Sequence, residues 1–194
     1  SDLRILERIK RKHISNRVFV SGAFDLISEL DEIKDEEEAF DFCVSLGERL
    51  CECGVKVTSG LGKGVGRGLL TGYLNEFYKS EKKLSDELLI MPFSRDKENH
   101  ARQRRDLLVD CGIAIFLFGN KLVDGQLSVS DGMLKEYELA KELGRLIIAI
   151  PHTGFGALRI WEKEQMHALD KSRVGINEVA HTVLGIIEEY QNGL

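Results

Sequence analysis

Proline is nearly missing from this chain, with two residues in 194, and that excludes a long proline-rich linker or stalk. Cysteine is scarce and badly spaced for chemistry. Cys43, Cys51, Cys53 and Cys111 include no C-x-x-C pair, and no histidine lies at ligand spacing from them. They read as reduced, partly buried thiols and not as a zinc or redox site. No apolar run reaches the roughly 18 residues that a membrane span needs. Positive charge is not in surplus either. The formal charge is −5, which argues against nucleic acid or an anionic membrane as the main partner. These absences describe a cytoplasmic protein with no nucleic-acid or membrane partner and no bound metal.

Catalytic signatures are missing too. There is no G-x-S-x-G elbow, no G-x-x-x-x-G-K-[ST] phosphate loop and no H-E-x-x-H. His100, His152, His167 and His181 are scattered; His152 follows Pro151 at a strand end and reads as a loop histidine.

What is present is an ordinary globular balance, 43% hydrophobic and 30% charged, in a length that suits one domain. Residues 1–16, SDLRILERIKRKHISN, form a charged amphipathic stretch without a signal-peptide core, read as a linker or helical lead-in. Residues 17–194 form the domain. Short apolar runs at Arg17–Gly22, Val55–Gly60, Leu88–Phe93, Ile113–Phe118 and Leu146–Ile150 are expected strands. Between and after them, helical periods run over Glu36–Cys53, Leu69–Phe77, His100–Val109, Asp131–Leu143, Ala157–Leu169 and Asn177–Tyr190. Strand–helix alternation implies α/β architecture, a Rossmann-like parallel sheet with helices on both faces. The acidic run Asp31–Glu38 is expected to solvate a loop and give the next helix a negative start.

Ligands of such sheets bind outside the carboxyl ends of the strands. Ser21-Gly22 ends the first strand and Ser59-Gly60 the second. The run from Gly60 to Gly68 then carries glycine at every second position before a helix. Such a loop lets a phosphate or ribose approach the backbone and a helix N-terminus; the alternative is a tight, ligand-free turn. Arg104 shares a helical stripe with Ala101, Leu108 and Cys111, so it points to the apolar side, where a cation needs a partner. Lys121 follows the fourth strand, as a loop lysine or a phosphate contact. Glu136 lies near the start of the next helix, on the stripe of Met133, Tyr137, Ala140 and Leu143. It is either paired with a neighbouring cation or kept for a ligand donor.

The stretches VFVSGAF, VTSGLGKGVGRGLLTGYLNE, LLIMPF, HARQRRDLLVDCGIAIFLFGNK and SDGMLKEYELA, in that order, resemble the Sir2- and TIR-associated branch of the SLOG superfamily. The resemblance can be followed from Arg17 to Ile160 and rests on order and spacing. It implies a non-catalytic sensor that binds a cyclic ADP-ribose isomer made by a TIR protein and switches on a fused NAD-depleting effector in Thoeris antiphage defence. The family's ligand-contacting arginine, lysine and glutamate fall on Arg104, Lys121 and Glu136, and the family suggests self-association. The candidate ligand-binding set is Ser21, Gly22, Ala23, Gly60, Gly62, Gly64, Gly66, Arg104, Asn120, Lys121 and Glu136, with no catalytic residue, metal or resident cofactor assigned. The enzymatic relatives, the LOG phosphoribohydrolases, carry P-G-G-x-G-T-x-x-E. Here Leu127-Ser-Val-Ser-Asp-Gly132 precedes Glu136, without that phosphate loop, so an N-glycosidase is the rival reading.

Overall fold

Every side chain of Ile113–Phe118 is buried, and a strand that is apolar on both faces demands cover on both. A computed structural model, describing residues 2–27 and 32–194, supplies that cover. Its central sheet joins β1 (Arg17–Ala23), β2 (Lys56–Ser59), β3 (Leu88–Ile90), β4 (Ile113–Phe118) and β7 (Leu146–Ala149). The order is β3-β2-β1-β4-β7, parallel at each pairing. Side chains alternate between faces with the strand period of two. Val18, Val20, Ile113 and Ile115 meet α2 (Glu36–Glu52), α3 (Gly66–Phe77) and α7 (Ile176–Asn192) through Leu46, Leu69 and Val183. Phe19, Ala114 and Phe116 face α4 (His100–Leu108), α5 (Asp131–Glu142) and α6 (Phe155–Glu164) through Leu108, Met133 and Ile160. The α/β reading of the sequence therefore holds.

Three local readings change. Residues 120–129, where the apolar pattern gives neither an expected strand nor an expected helix, form an antiparallel hairpin of β5 (Asn120–Val123) and β6 (Gln126–Val129). Asp124 at φ 50° and Gly125 at φ 78° make its turn, the left-handed pair that matches strand twist. The third strand stops at Ile90, so Phe93 leaves the sheet. The helix expected to reach Leu169 ends at Glu164, where Gln165 turns left-handed at φ 51°.

The lead-in is helical, α1 (Asp2–Ile14), and exposed along nearly all its length, with Ile14 buried. Of the acidic run, Asp31 lies outside the described residues. Asp35 caps α2 by accepting the Glu38 N–H at 2.8 Å, and three glutamates occupy the first turn, where the helix dipole favours them. Among the described residues no helix is long and apolar enough to cross a membrane.

Candidate functional site

The end of β1 is held open by close backbone packing. A methyl group on Gly62 would lie 1.8 Å from the Gly22 carbonyl oxygen, so the glycine loop rests directly on the first strand. Gly64, at φ 79°, presses against the Phe24 ring, which a Cβ would meet at 2.5 Å. The Phe24 N–H donates to the Lys63 carbonyl at 2.9 Å and fixes the two segments together. Gly66 sits over Leu61. The alternating glycines thus have packing reasons of their own. Gly60 and Gly62 line a cavity, and Gly64 and Gly66 stand outside its lining.

That cavity, of about 260 Å³, is bounded by Ser21, Gly22 and Ala23 at the end of β1 and by Phe93 after β3. His100 and Arg104 of α4, and Ser130, Gly132, Met133 and Glu136 at the start of α5, close the other side. It sits at the carboxyl end of the sheet, where open parallel sheets take ligands. Ser130 caps α5 by accepting the Met133 N–H at 3.3 Å, so a helix N-terminus with its positive dipole end opens on the space.

Glu136 and Arg104 are the buried charges here. One oxygen of Glu136 accepts the Ser21 hydroxyl, and the other lies 3.7 Å from Arg104 Nε. Burial pushes the Glu136 carboxyl up to about 7, although Ser21 and Arg104 both pull it down. Arg104 Nε is buried without a hydrogen-bond partner among the described residues. Its guanidinium carbon instead stands 5.1 Å from the centre of the Phe93 ring. Gly132 leaves room for it, since a Cβ there would come within 3.3 Å of Nη2. The arrangement can hold an anion at Arg104 and the α5 N-terminus, and can bond hydroxyls through Glu136 and Ser21.

Seven of the residues expected from the sequence line this cavity: Ser21, Gly22, Ala23, Gly60, Gly62, Arg104 and Glu136. Asn120 is buried with both amide ends in use. Its oxygen accepts the Asp25 N–H and its nitrogen donates to the Leu26 carbonyl, each at 2.8 Å. Lys121 stands on the hairpin and pairs with Asp131 in the first turn of α5, holding that carboxyl below its ordinary value. Phe93, His100, Ser130, Gly132 and Met133 join the lining without having been expected. His152 is fully buried elsewhere, its Nε2 2.7 Å from the Val174 carbonyl.

A doubly covered parallel sheet with a cleft at the carboxyl ends of its strands defines a Rossmann-like domain. The chain belongs to the Sir2- and TIR-associating SLOG family, STALD, whose model matches residues 3–192. It is 30% identical over 167 residues to the NAD(+) hydrolase ThsA of Cytobacillus dafuensis, covering 82% of this chain and 33% of that protein. With the ThsA of Acinetobacter baumannii (strain 532279) it shares 33% over 175 residues, 82% of this chain and 35% of the other. With that of Bacillus cereus (strain MSX-D12) it shares 27% over 209 residues, 97% and 43%. The chain spans between a third and somewhat under half the length of these relatives.

Proposed function

We propose that this chain is a sensor domain that binds a cyclic ADP-ribose isomer, made by a TIR protein, in the cavity between Gly22 and Glu136. In this reading it hydrolyses nothing itself. Binding would activate an NAD-depleting effector fused to it, within an oligomer in the cytoplasm, as part of antiphage defence. The named relatives are NAD(+) hydrolases of which this chain matches only a part, which supports a division of labour between sensor and effector.

The observation that carries the ligand is the buried Arg104–Glu136 pair in a cleft that also presents a helix N-terminus. An arginine fork suits a phosphate, and a carboxylate beside it suits ribose hydroxyls. Lys121, on β5, would reach a phosphate only by leaving its present partner Asp131 at the start of α5. About 260 Å³ is at the small end of ligand sites, so part of the molecule enters and the remainder stays at the mouth.

One observation favours the rival N-glycosidase: a carboxyl near 7 is poised for general acid–base work. Against it, the segment before α5 is a hairpin strand and cap, not a phosphate loop.

A melting screen of the chain against ADP-ribose, NAD and the cyclic isomers tests the reading. A ligand at 100 times its dissociation constant adds about 2.7 kcal/mol. Stabilisation by a cyclic isomer supports the sensor; no shift with any of them rejects it.

A further inference from the structure

We propose that Phe93 is the platform on which the planar base of the ligand stacks, taking the place that the Arg104 guanidinium occupies in this structure. This rests on the nucleotide-sensor reading above and adds a specificity-determining residue to it.

Phe93 is placed by its neighbours. Upstream, the Met91 N–H donates to the Ser59 carbonyl at 2.9 Å and extends the pairing of β3 with β2 by one residue. Downstream, the Ser94 N–H donates to Gln103 Oε1 at 2.9 Å, and the Ser94 carbonyl meets His100 Nε2 at 2.7 Å. The loop is thus pinned on both sides of the ring.

The ring is half-buried: it packs against the core cluster of Phe19, Leu107 and Phe116 and also lines the cavity, which leaves part of it open to a ligand. Gly60 lies against it so tightly that a Cβ would stand 3.0 Å from Cε2, so any side chain at 60 would displace the ring. His100 meets it at 60° with ring centres 5.0 Å apart. On the cavity side the Arg104 guanidinium stands 5.1 Å from the ring centre.

That contact is exchangeable. Among the described residues Arg104 Nε has no hydrogen-bond partner, and at 3.7 Å its approach to Glu136 is too long for one. A ligand phosphate offers the guanidinium charge-assisted bonds that it lacks here. Once Arg104 turns to the phosphate, the Phe93 face needs a flat apolar cover, and a purine ring is one. One molecule carrying both groups drives the exchange from both ends.

The test is titration of the chain with cyclic ADP-ribose isomers, read by calorimetry and by the loss of adenine ultraviolet absorbance that accompanies stacking. Wild-type protein should bind with that loss. Phe93→Leu, which keeps apolar bulk on a half-exposed loop, should melt normally, bind roughly tenfold to a hundredfold more weakly and abolish the absorbance change. Phe93→Tyr should restore both. Wild-type binding without an absorbance change, or Phe93→Leu binding with affinity or absorbance change intact, would overturn the platform and leave the sensor reading standing. If no isomer binds the wild-type chain, the sensor reading falls and the platform with it.

Discussion

Arg104 Nε lies 3.7 Å from Glu136 Oε1, and the two side chains are 12% and 10% exposed. The pair ties α4 to α5 across the mouth of the cavity. Neither charge is fully satisfied by it. The carboxyl keeps a raised proton affinity, and the guanidinium a nitrogen without a partner among the described residues, which leaves both available to a ligand.

Glu136 makes stability depend on pH. Its carboxyl is near 7 in the fold against an ordinary value of 4.5, so between those values the folded protein holds a proton that the unfolded chain has lost. Stability therefore falls as pH rises through this window, by on the order of 3 kcal/mol in total. Below 4.5 the penalty is absent. Urea unfolding at pH 5 and pH 8 should show this decline in the wild type and a much flatter profile in Glu136→Gln. Parallel profiles would mean that Glu136 is not the buried proton holder.

The glycine loop should tolerate no side chain where it crosses β1. Gly62→Ala places a methyl group 1.8 Å from the Gly22 carbonyl oxygen and should cost roughly 2–3 kcal/mol or more. Gly185, exposed in the middle of α7 with open space around it, is the control. Gly185→Ala should raise stability by roughly 0.5–1 kcal/mol. Thermal melts of the two variants should move in opposite directions.

Asn120 is expected to act on the fold before it acts on any ligand. Asn120→Ala strands the Asp25 N–H and the Leu26 carbonyl and should lower stability by roughly 1–3 kcal/mol. A variant that melts like the wild type but loses ligand would instead put Asn120 in direct contact with it.

The sheet was legible because its strands are buried on both faces. Ile113–Phe118 and Leu146–Ala149 read as apolar runs with no helical period, and the helices between them keep theirs. Arg104 and Glu136 were legible for the related reason that a charge on an apolar stripe stands out. The β5–β6 hairpin left a signal as well, the Asp124-Gly125 dipeptide between two short alternating runs. It went unread because those runs are partly exposed and only four residues long. Phe93 left none, since a residue on an irregular loop has no period and its place is set by Gly60 and Arg104, distant in sequence. The glycine run carries two meanings at once, since Gly64 and Gly66 are also required by close packing against Phe24 and Leu61.

The central claim, that Arg104 receives the phosphate of a cyclic ADP-ribose isomer, is tested most directly by calorimetric titration of the wild-type chain and Arg104→Ala with those isomers, followed by chromatography of the recovered ligand. Arginine–phosphate bonds are charge-assisted, roughly 1.5–3 kcal/mol each, so losing a two-pronged contact should weaken binding by roughly a hundredfold or more. That loss is the expected result, with the ligand returned intact from the wild type. Equal affinity in Arg104→Ala, or steady release of free base that Glu136→Gln abolishes, would contradict it.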